Sequence, residues 1–390
     1  MQLSESQRAV RDQFRRFMTT ELAPRTEALE SGAELPYPLA KRMIRELGLS
    51  GNAGRVAGEA PRAPGDPGPD PELRALLRYA ATQITVELAR INPGFGMSWG
   101  ASVGLCAGNI RGKGTPAQVE QYVPSLMQGE TVGCWCLTEP GAGSDALGAM
   151  QTRARRDGDV YVLRGEKTFI TNAPHADVFL IYAKDDAGSV QAFIAERGFA
   201  GLSTSTPFKK MGMRSSPTGA VYLDDVRVPA ENLLGGGTSD RDHVKKSLAG
   251  ERVGIAAMSY GIAERCFEIA LDYAQTRVQG GQPIAQYQLV QQRLARMYVA
   301  LSNARRIVYG GDGRDEMTPL DAAAGKLYVA EIGTWVALEA IHILGGNGYM
   351  EEYVVERLAR DAKLLELGGG TTEMQILTIA RHLLAGNAPR

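Results

Sequence analysis

The pair Glu251–Arg252, in the sequence LAGER at the beginning of a long helical pattern, contains a carboxylate that can act as a general base. A structural role is the alternative. The helix dipole favours a carboxylate in the first turns of a helix, and such a group can also pair with a nearby basic side chain. A later segment, Gly368–Gln375, reads GGGTTEMQ and carries no acidic side chain at Gly369. The residue types alone leave both interpretations of Glu251 open.

A loop able to bind a polar ligand follows the apolar run Val132–Leu137. It reads TEPGAGSD from Thr138 to Asp145. Its glycines, Gly141 and Gly143, permit close backbone approach, and Thr138 and Ser144 offer hydroxyl groups. Such a loop can hydrogen-bond a flat polar ring or a phosphate. Its composition is equally typical of a turn between two strands.

An aromatic and a hydroxyl side chain stand two residues apart in the strand-like sequence KTFITN. Residues i and i+2 of a strand share a face, so Phe169 and Thr171 are expected on one side. Together they can stack on and hydrogen-bond a cofactor ring. The alternative is a half-buried strand facing a core.

Two further segments could contact a phosphate. Arg277 lies where a helical pattern ends at glycines, and its guanidinium can take a pyrophosphate through two hydrogen bonds or complement the helix C-terminus. The sequence LGGNGY at Leu344–Tyr349 is a helix stop with several backbone N–H groups. It lacks the spacing of a dinucleotide-binding fingerprint.

Other chemistries find little support in the sequence. Cys134 and Cys136 point the same way on a strand, but there is no second cysteine pair or histidine cluster, so no metal site is expected. The histidines are scattered, and no nucleophile elbow is present for a serine mechanism.

The elements that must position these residues occur in the order helical, β, helical. Apolar residues recur at helical spacing over 3–30, 38–47 and 72–90, whereas the Pro-rich segment 57–71 predicts an irregular loop. Strand-like runs occupy 160–163, 178–183, 190–194 and 220–223, and long helical patterns return after Ser239. We therefore predict an α-helical domain at 1–130, a β domain at 131–238 and an α-helical bundle at 239–390.

The composition is that of a globular protein of 390 residues with 44% hydrophobic and 22% charged residues. With a formal charge of −1 and no basic tract, nucleic-acid binding is not expected. No membrane span or signal peptide is expected either, because no apolar run is long enough and the first residues are polar. Four cysteines do not suggest a disulfide framework, so the sequence predicts a cytoplasmic protein.

Taken together and in this order, these strings resemble the acyl-CoA dehydrogenase family over nearly the whole chain. Further resemblance lies in the sequence LSESQRAVR at its beginning, in GTPAQVEQYVPSL at 114–126 and in LDDVRVP at 223–229. The resemblance implies an N-terminal α domain, a middle β domain and a C-terminal four-helix bundle. It also implies one FAD per subunit and a homotetramer.

The resemblance also implies roles for Gly369 and Glu251. Most members of the family carry a carboxylate at the position of Gly369, and its backbone N–H polarises the thioester carbonyl. Glycine keeps that N–H donor and removes the acid. Isovaleryl-CoA dehydrogenase and long-chain members carry the base in a Glu-Arg pair that aligns with Glu251–Arg252. The sequence around Gly369 is also similar to that of crotonobetainyl-CoA reductase. The resemblance therefore assigns the base to Glu251.

The same matching implies contacts for the remaining residues. The substrate-binding residues would be Ser144, Arg252 and Trp99, and no metal is implied. The cofactor-binding residues would be Trp135, Leu137, Thr138, Gly143, Ser144, Phe169, Thr171, Arg277, Ile284, Gln288, His342, Gly346, Thr371 and Glu373. Arg277, Ile284 and Gln288 would reach the FAD of a neighbouring subunit.

Three features depart from the usual sequence of the family, and a fourth, Trp99, bears on the size of the acyl group. Gly280 replaces an aromatic residue that usually follows the arginine, and His342 stands where glutamine is common. The segment Ala57–Pro71 replaces the Pro-Glu-x-x-Gly-Gly stretch that the family usually carries near the acyl pocket. Trp99, in a helix expected to close that pocket, suggests a short or unusual acyl group.

The function implied is FAD-dependent α,β-dehydrogenation of a short or unusual acyl-CoA thioester, with electrons passed to an electron-transferring flavoprotein. Two alternatives remain at this point. One is an enoyl-thioester reductase or a dehydrogenase acting on acyl groups of a carrier protein. The other is a catalytically silent relative that uses the fold for binding.

Overall fold

The computed structural model describes residues 3–49, 70–237, 241–310 and 318–385. Nearly all of the Pro-rich segment predicted as a loop lies outside the described residues. At its end, Asp70 caps a helix by accepting a hydrogen bond from the backbone N–H of Leu73 at 2.8 Å. Pro71 follows as the first helical residue, where its missing N–H costs nothing.

The N-terminal part of the chain is helical. Ser4 precedes the first helix and forms a capping box with Gln7. The helical pattern predicted over 3–30 is interrupted by a π-helical turn at Met18–Leu22 and ends at Gly32, whose φ is 77°. The helices are α1 Glu5–Phe17, α2 Thr26–Ser31, α3 Pro36–Glu46, α4 Pro71–Ile91, α5 Pro93–Trp99, α6 Gly108–Lys113 and α7 Pro116–Met127.

The middle part forms a seven-stranded mixed sheet among the described residues. Strand β1 pairs in parallel with β4, and the long strands β3 and β7 pair antiparallel. Both long strands extend well beyond the predicted runs. The strands are β1 Gly133–Cys136, β2 Arg153–Asp157, β3 Val160–Thr171, β4 Val178–Lys184, β5 Val190–Glu196, β6 Leu202–Thr204 and β7 Thr218–Pro229.

The C-terminal part is a helical bundle with a small hairpin, β8 Val278–Gln279 and β9 Gln282–Pro283. Its helices are α8 Arg241–Thr276, α9 Gln288–Tyr309, α10 Pro319–Leu344, α11 Val355–Leu367 and α12 Thr372–Leu384. By length and composition alone, the segment 319–349 could cross a membrane. Here α10 is instead the inner helix of the bundle, with Val329, Val336 and Ala340 fully buried.

The helix that carries Glu251 is fixed on two sides. Its apolar residues, among them Ile262 and Cys266, share a core with α10 and α11. On the side of α4, Arg90 donates hydrogen bonds to Glu264 and Glu268, each at 2.6 Å. The second half of α8 is therefore held between the N-terminal helices and the bundle.

Candidate active site

Glu251 and Gly369 meet where α8 passes the turn between α11 and α12. A Cβ placed on Gly369 would lie 3.4 Å from the carboxyl carbon of Glu251 and would overlap Cδ1 of Ile255. Ile255 follows Glu251 by four residues and so shares its helix face. The backbone of Gly369 and the carboxyl group of Glu251 therefore border one small space, from which a side chain at position 369 is excluded.

The turn itself requires glycine. Gly369 has a φ of 62° and Gly370 a φ of 84°, conformations that residues with a Cβ rarely adopt. The side chain of Gln375 donates to the carbonyl oxygen of Gly370 at 2.7 Å. Within the described residues, the N–H of Gly369 donates to no protein acceptor. The turn thus presents a fixed backbone donor with nothing bound to it.

Burial raises the pKa of Glu251 from 4.5 to about 7, although the charges of Arg252 and Lys326 oppose the rise. A carboxyl group with this pKa can exchange a proton near neutral pH. Arg252 is half-buried, and its Nε has no hydrogen-bond partner among the described residues. Burial lowers the pKa of Arg252. A carboxyl group and a guanidinium group are therefore neighbours in α8, ten residues after that helix begins at Arg241.

Trp99 is the last residue of α5 and is half-buried. Its indole N–H is enclosed and has no partner in the described part of the chain. A buried donor without an acceptor is unfavourable. This side chain can therefore offer a hydrogen bond as well as bulk to a group that reaches it.

The loop after β1 is held by a buried ion pair. Lys167 is fully buried, and its Nζ donates to Oε1 of Glu139 at 2.8 Å and to the carbonyl of Leu137 at 3.1 Å. Thr168 also donates its N–H to the carbonyl of Thr138 at 2.9 Å. These bonds fasten the start of the loop to β3. Farther along the loop, Gly143 and Ser144 are exposed.

Phe169 projects from an irregular point of β3. The pairing of β3 with β7 shifts between Lys167 and Ile170, and Phe169 has a φ of 58°. The prediction that Phe169 and Thr171 share a face assumed a regular strand, and the strand is irregular at this point. The ring of Phe169 is 70% exposed, and Thr171 is half-buried. An exposed aromatic ring on a strained backbone indicates a binding surface.

Trp135, on β1, is half-buried and donates its indole N–H to the hydroxyl of Tyr182 at 3.1 Å. Leu137 at the end of the same strand is buried. Leu137 and Thr138 follow β1, and the bonds from Lys167 and Thr168 to their carbonyl oxygens bring this chain segment next to the end of β3 that carries Phe169 and Thr171.

Arg277 and its neighbours form a separate group. The N–H of Ile284 donates to the carbonyl of Arg277 at 2.8 Å across the hairpin that follows α8. Arg277 and Gln288 are exposed, and Ile284 is half-buried. At 1.5 Å per residue, Arg277 lies about 39 Å from Glu251 along α8. One subunit therefore does not bring these residues to the carboxylate.

Gly280 occupies the turn of that hairpin with a φ of 60°. A Cβ there would collide with the hydroxyl of Tyr287, which donates to the carbonyl of Gln279 at 2.8 Å. An aromatic side chain at position 280 is incompatible with this placement of Tyr287. The departure at Gly280 thus has a local steric reason.

The remaining predicted residues lie at the end of α10 and the start of α12. The side chain of His342 is 63% exposed and lies 4.0 Å from Glu339. Gly346 is exposed in the turn that follows, where Asn347 bonds the hydroxyl of Tyr273 near the end of α8. Thr371 caps α12, and Glu373 is exposed in its first turn.

Four residues of this region were not predicted. Lys326 and Gln375 hold the turn that contains Gly369, while Glu139 and Lys167 hold the loop after β1. A sequence signal exists for Lys326, which interrupts an apolar, Ala-rich helix, but not for Lys167, which follows the polar residues Arg164 and Glu166. No pattern indicated what they would bind.

Other chemistries remain without support. Cys134 and Cys136 share a strand face with their sulfur atoms 3.5 Å apart, and both are buried. Within residues 3–49, 70–237, 241–310 and 318–385, no cluster of three potential metal ligands occurs.

Comparison with known families covers most of the chain. The description "Acyl-CoA dehydrogenase, N-terminal domain" matches residues 4–130, and "Acyl-CoA dehydrogenase, middle domain" matches residues 134–226. The description "Acyl-CoA dehydrogenase, C-terminal domain" matches residues 242–384.

Individual proteins match over most of their length. The chain is 39% identical to a Bacillus subtilis protein named probable acyl-CoA dehydrogenase YngJ, with 98% of this chain and 99% of that protein covered. It is 36% identical to mitochondrial isovaleryl-CoA dehydrogenase of Pongo abelii, with 97% and 89% covered. The structure of butyryl-CoA dehydrogenase from Megasphaera elsdenii matches with a TM-score of 0.87 at 34% identity, covering 98% and 99%.

Proposed function

Because the chain belongs to the acyl-CoA dehydrogenase family, we propose that it oxidises a short or unusual acyl-CoA thioester with Glu251 as the base. The observation that carries the proposal is the position of the Glu251 carboxyl carbon, 3.4 Å from the point where a Cβ on Gly369 would lie. The base and the carbonyl-binding donor must both reach one thioester, and here they border the same space. An ordinary solvated helix carboxylate would not have its pKa raised to about 7 by burial.

The proposed chemistry divides between two groups of the chain. The N–H of Gly369 donates to the thioester carbonyl oxygen, which stabilises the negative charge that develops when the α-proton leaves. That proton goes to a carboxylate oxygen of Glu251. Arg252 lies beside Glu251 and opposes its protonation. Ser144, Arg252 and Trp99 are the proposed substrate contacts.

The family is FAD-dependent, and FAD is the cofactor of this enzyme. Bound FAD supplies the acceptor for the hydride that leaves the β-carbon. The residues present fit a flat ring, since Phe169 is 70% exposed next to a loop in which Gly143 borders open space. The residues that would hold the ring are Trp135, Leu137, Thr138, Gly143, Ser144, Phe169 and Thr171. Those that would hold the remaining parts are Arg277, Ile284, Gln288, His342, Gly346, Thr371 and Glu373.

We also propose that the chain acts as a homotetramer, in the cytoplasm, and passes electrons to an electron-transferring flavoprotein. Support for an oligomer comes from apolar side chains on the outer faces of α9 and α10. Leu289 is 76% exposed, Tyr298 62%, Val299 59% and Leu338 48%. Exposed apolar surface of this kind is typical of an interface. The distance of Arg277 from Glu251 also fits a role toward a neighbouring subunit's cofactor.

A panel of saturated thioesters tests the proposed function. The purified yellow protein is mixed anaerobically with butyryl-, isovaleryl- and glutaryl-CoA and with a carrier-protein thioester, and flavin absorbance is recorded. We expect rapid bleaching by at least one short acyl-CoA. A protein that binds FAD but is bleached by none of the panel, and is reoxidised by an enoyl thioester, would instead be a reductase.

A further inference from the structure

Lys326 is an unusual residue for the interior of a helical bundle. It lies in α10 and is 1% exposed, and lysine is almost never buried to this degree without a partner. Within the described residues, its ammonium group forms no ion pair. It instead donates to the carbonyl oxygen of Glu366 at 3.0 Å and to that of Gly370 at 2.8 Å. The cation is therefore held by backbone dipoles.

These two bonds span the turn that carries Gly369. Glu366 lies in the last turn of α11, and Gly370 lies just before Thr371, the N-cap of α12, so a single side chain connects both ends. Gln375, which is fully buried, adds a bond to the Gly370 carbonyl from the other side. The carbonyl groups at both ends are thus occupied while the Gly369 N–H stays free within the described structure. The turn cannot shift without breaking these bonds.

Resting on the proposed function, we propose that Lys326 is a positioning residue of the reaction. It fixes the Gly369 N–H for the thioester carbonyl and places a positive charge beside the Glu251 carboxylate. Arg252 supplies the other positive charge at Glu251, from the same helix. Around Lys326 itself stand Glu251, Arg252, Glu366 and Glu373.

The positive charge of Lys326 affects how the reaction rate depends on pH. Burial lowers the pKa of Lys326 to about 8, so the group is mainly protonated at pH 7. Its charge and that of Arg252 oppose the burial that raises the pKa of Glu251. Without Lys326 that pKa rises further. The base then loses its proton only at higher pH, and the acid limb of the rate profile moves upward.

The test uses α-proton exchange into deuterated solvent with 3,3-dimethylbutyryl-CoA. Its β-carbon bears no hydrogen, so exchange reports the base and the carbonyl donor and involves no hydride transfer. Rates are measured by NMR between pH 5.5 and 9.5, so that both the acid limb and the plateau are recorded, for the FAD-loaded wild type and for Lys326→Met and Lys326→Gln. Lys363→Met is the matched control, because Lys363 pairs with the Glu366 side chain from the exposed side of the same turn.

We expect the acid limb to move to higher pH in both Lys326 variants and to stay in place in Lys363→Met. A shift by one pH unit lowers the rate on the acid side about tenfold. Lys326→Gln retains a hydrogen-bond donor and guards against misfolding of the methionine variant. Gln375→Leu, which loosens the turn but keeps the charge, should lower the plateau without moving the limb.

A limb that stays at the wild-type pH in Lys326→Gln would overturn the proposal, even with a slower rate, because a merely structural residue acts equally at every pH. Failure of the proposed function looks different. In that case the wild type itself exchanges no α-proton, whatever residue stands at position 326.

Discussion

The carboxyl carbon of Glu251 lies 3.4 Å from the point where Gly369 would carry a side chain. A carboxylate delivered from α8 therefore reaches the place that a side chain on the turn would occupy. Glycine at position 369 leaves room for it and keeps the backbone donor. The position of the Glu251 carboxyl group is therefore compatible with glycine, and not with a larger residue, at position 369.

Exchanging Glu251 for Gln should abolish α-proton removal while FAD remains bound, because the amide keeps the shape but accepts no proton. We expect anaerobic flavin bleaching by the best thioester to slow by at least about 10²-fold, the lower range for removing a general base. Glu331→Gln is the control, since Glu331 is exposed on α10. Normal turnover by the Glu251 variant would move the base elsewhere.

The same exchange should stabilise the protein at alkaline pH. The pKa of Glu251 is about 7 when folded and 4.5 in the unfolded chain, so the folded state holds a proton that the unfolded state releases between these values. Wild-type stability therefore falls as pH rises from about 4.5 to about 7, by about 3 kcal/mol at most. Thermal unfolding at pH 5 and pH 8 should show Glu251→Gln gaining over wild type mainly at pH 8. An advantage equal at both pH values would contradict the raised pKa.

Gly369→Ala should impair both stability and rate. The positive φ disfavours alanine, and its Cβ would push against Cδ1 of Ile255. We expect a loss of about 1 kcal/mol or more in unfolding free energy from the strained backbone alone. Gly104→Ala, where a Cβ meets nothing within 4 Å, is the control. Adding Ile255→Val removes Cδ1 and should recover part of the lost unfolding free energy. If the double variant recovers none of it, the clash with Ile255 is not the cause of the loss.

Lys167→Met should weaken FAD binding, because the loop after β1 loses its anchor and Glu139 becomes an unpaired buried charge. Breaking a buried ion pair in this way costs about 3–5 kcal/mol. Flavin content after dialysis and thermal unfolding measure the effect. Lys184→Met is the control, since Lys184 bonds the carbonyl of Gly148 in the same region but in an exposed position. Equal flavin loss in both variants would show that the buried pair is not special.

Val299→Glu should dissociate the proposed tetramer without altering the subunit fold. A charge on the apolar outer face of α9 is costly only if that face is covered by another copy. Sedimentation should give smaller particles with unchanged helix content by circular dichroism. Glu120→Lys on the exposed side of α7 serves as the control. Unchanged particle size would place the interface on another surface.

Periodicity and turn residues were sufficient to predict the order helical, β, helical. The helices predicted at 38–47 and 72–90 and the strands predicted at 178–183 and 190–194 begin and end within two residues of the observed bounds. The predicted bounds were wrong where the backbone departs from a regular helix or strand period. The run 3–30 contains a π-helical turn, and β3 and β7 continue past their apolar stretches because a bulge changes which residues face the core. Period-based patterns report side-chain alternation, and they fail where the backbone adds or skips a residue.

The sequence by itself determined the family, the order of its three parts and the identity of the candidate base, because these depend on the types and order of residues along the chain. Only the tertiary structure decided that Ile255 and Glu251 fill the space beside Gly369 and that Lys326 ties its turn from another helix. Contacts between residues far apart in sequence depend on how helices pack. A lysine in an apolar helix indicates that something polar must meet it, but the fold alone determines what that is.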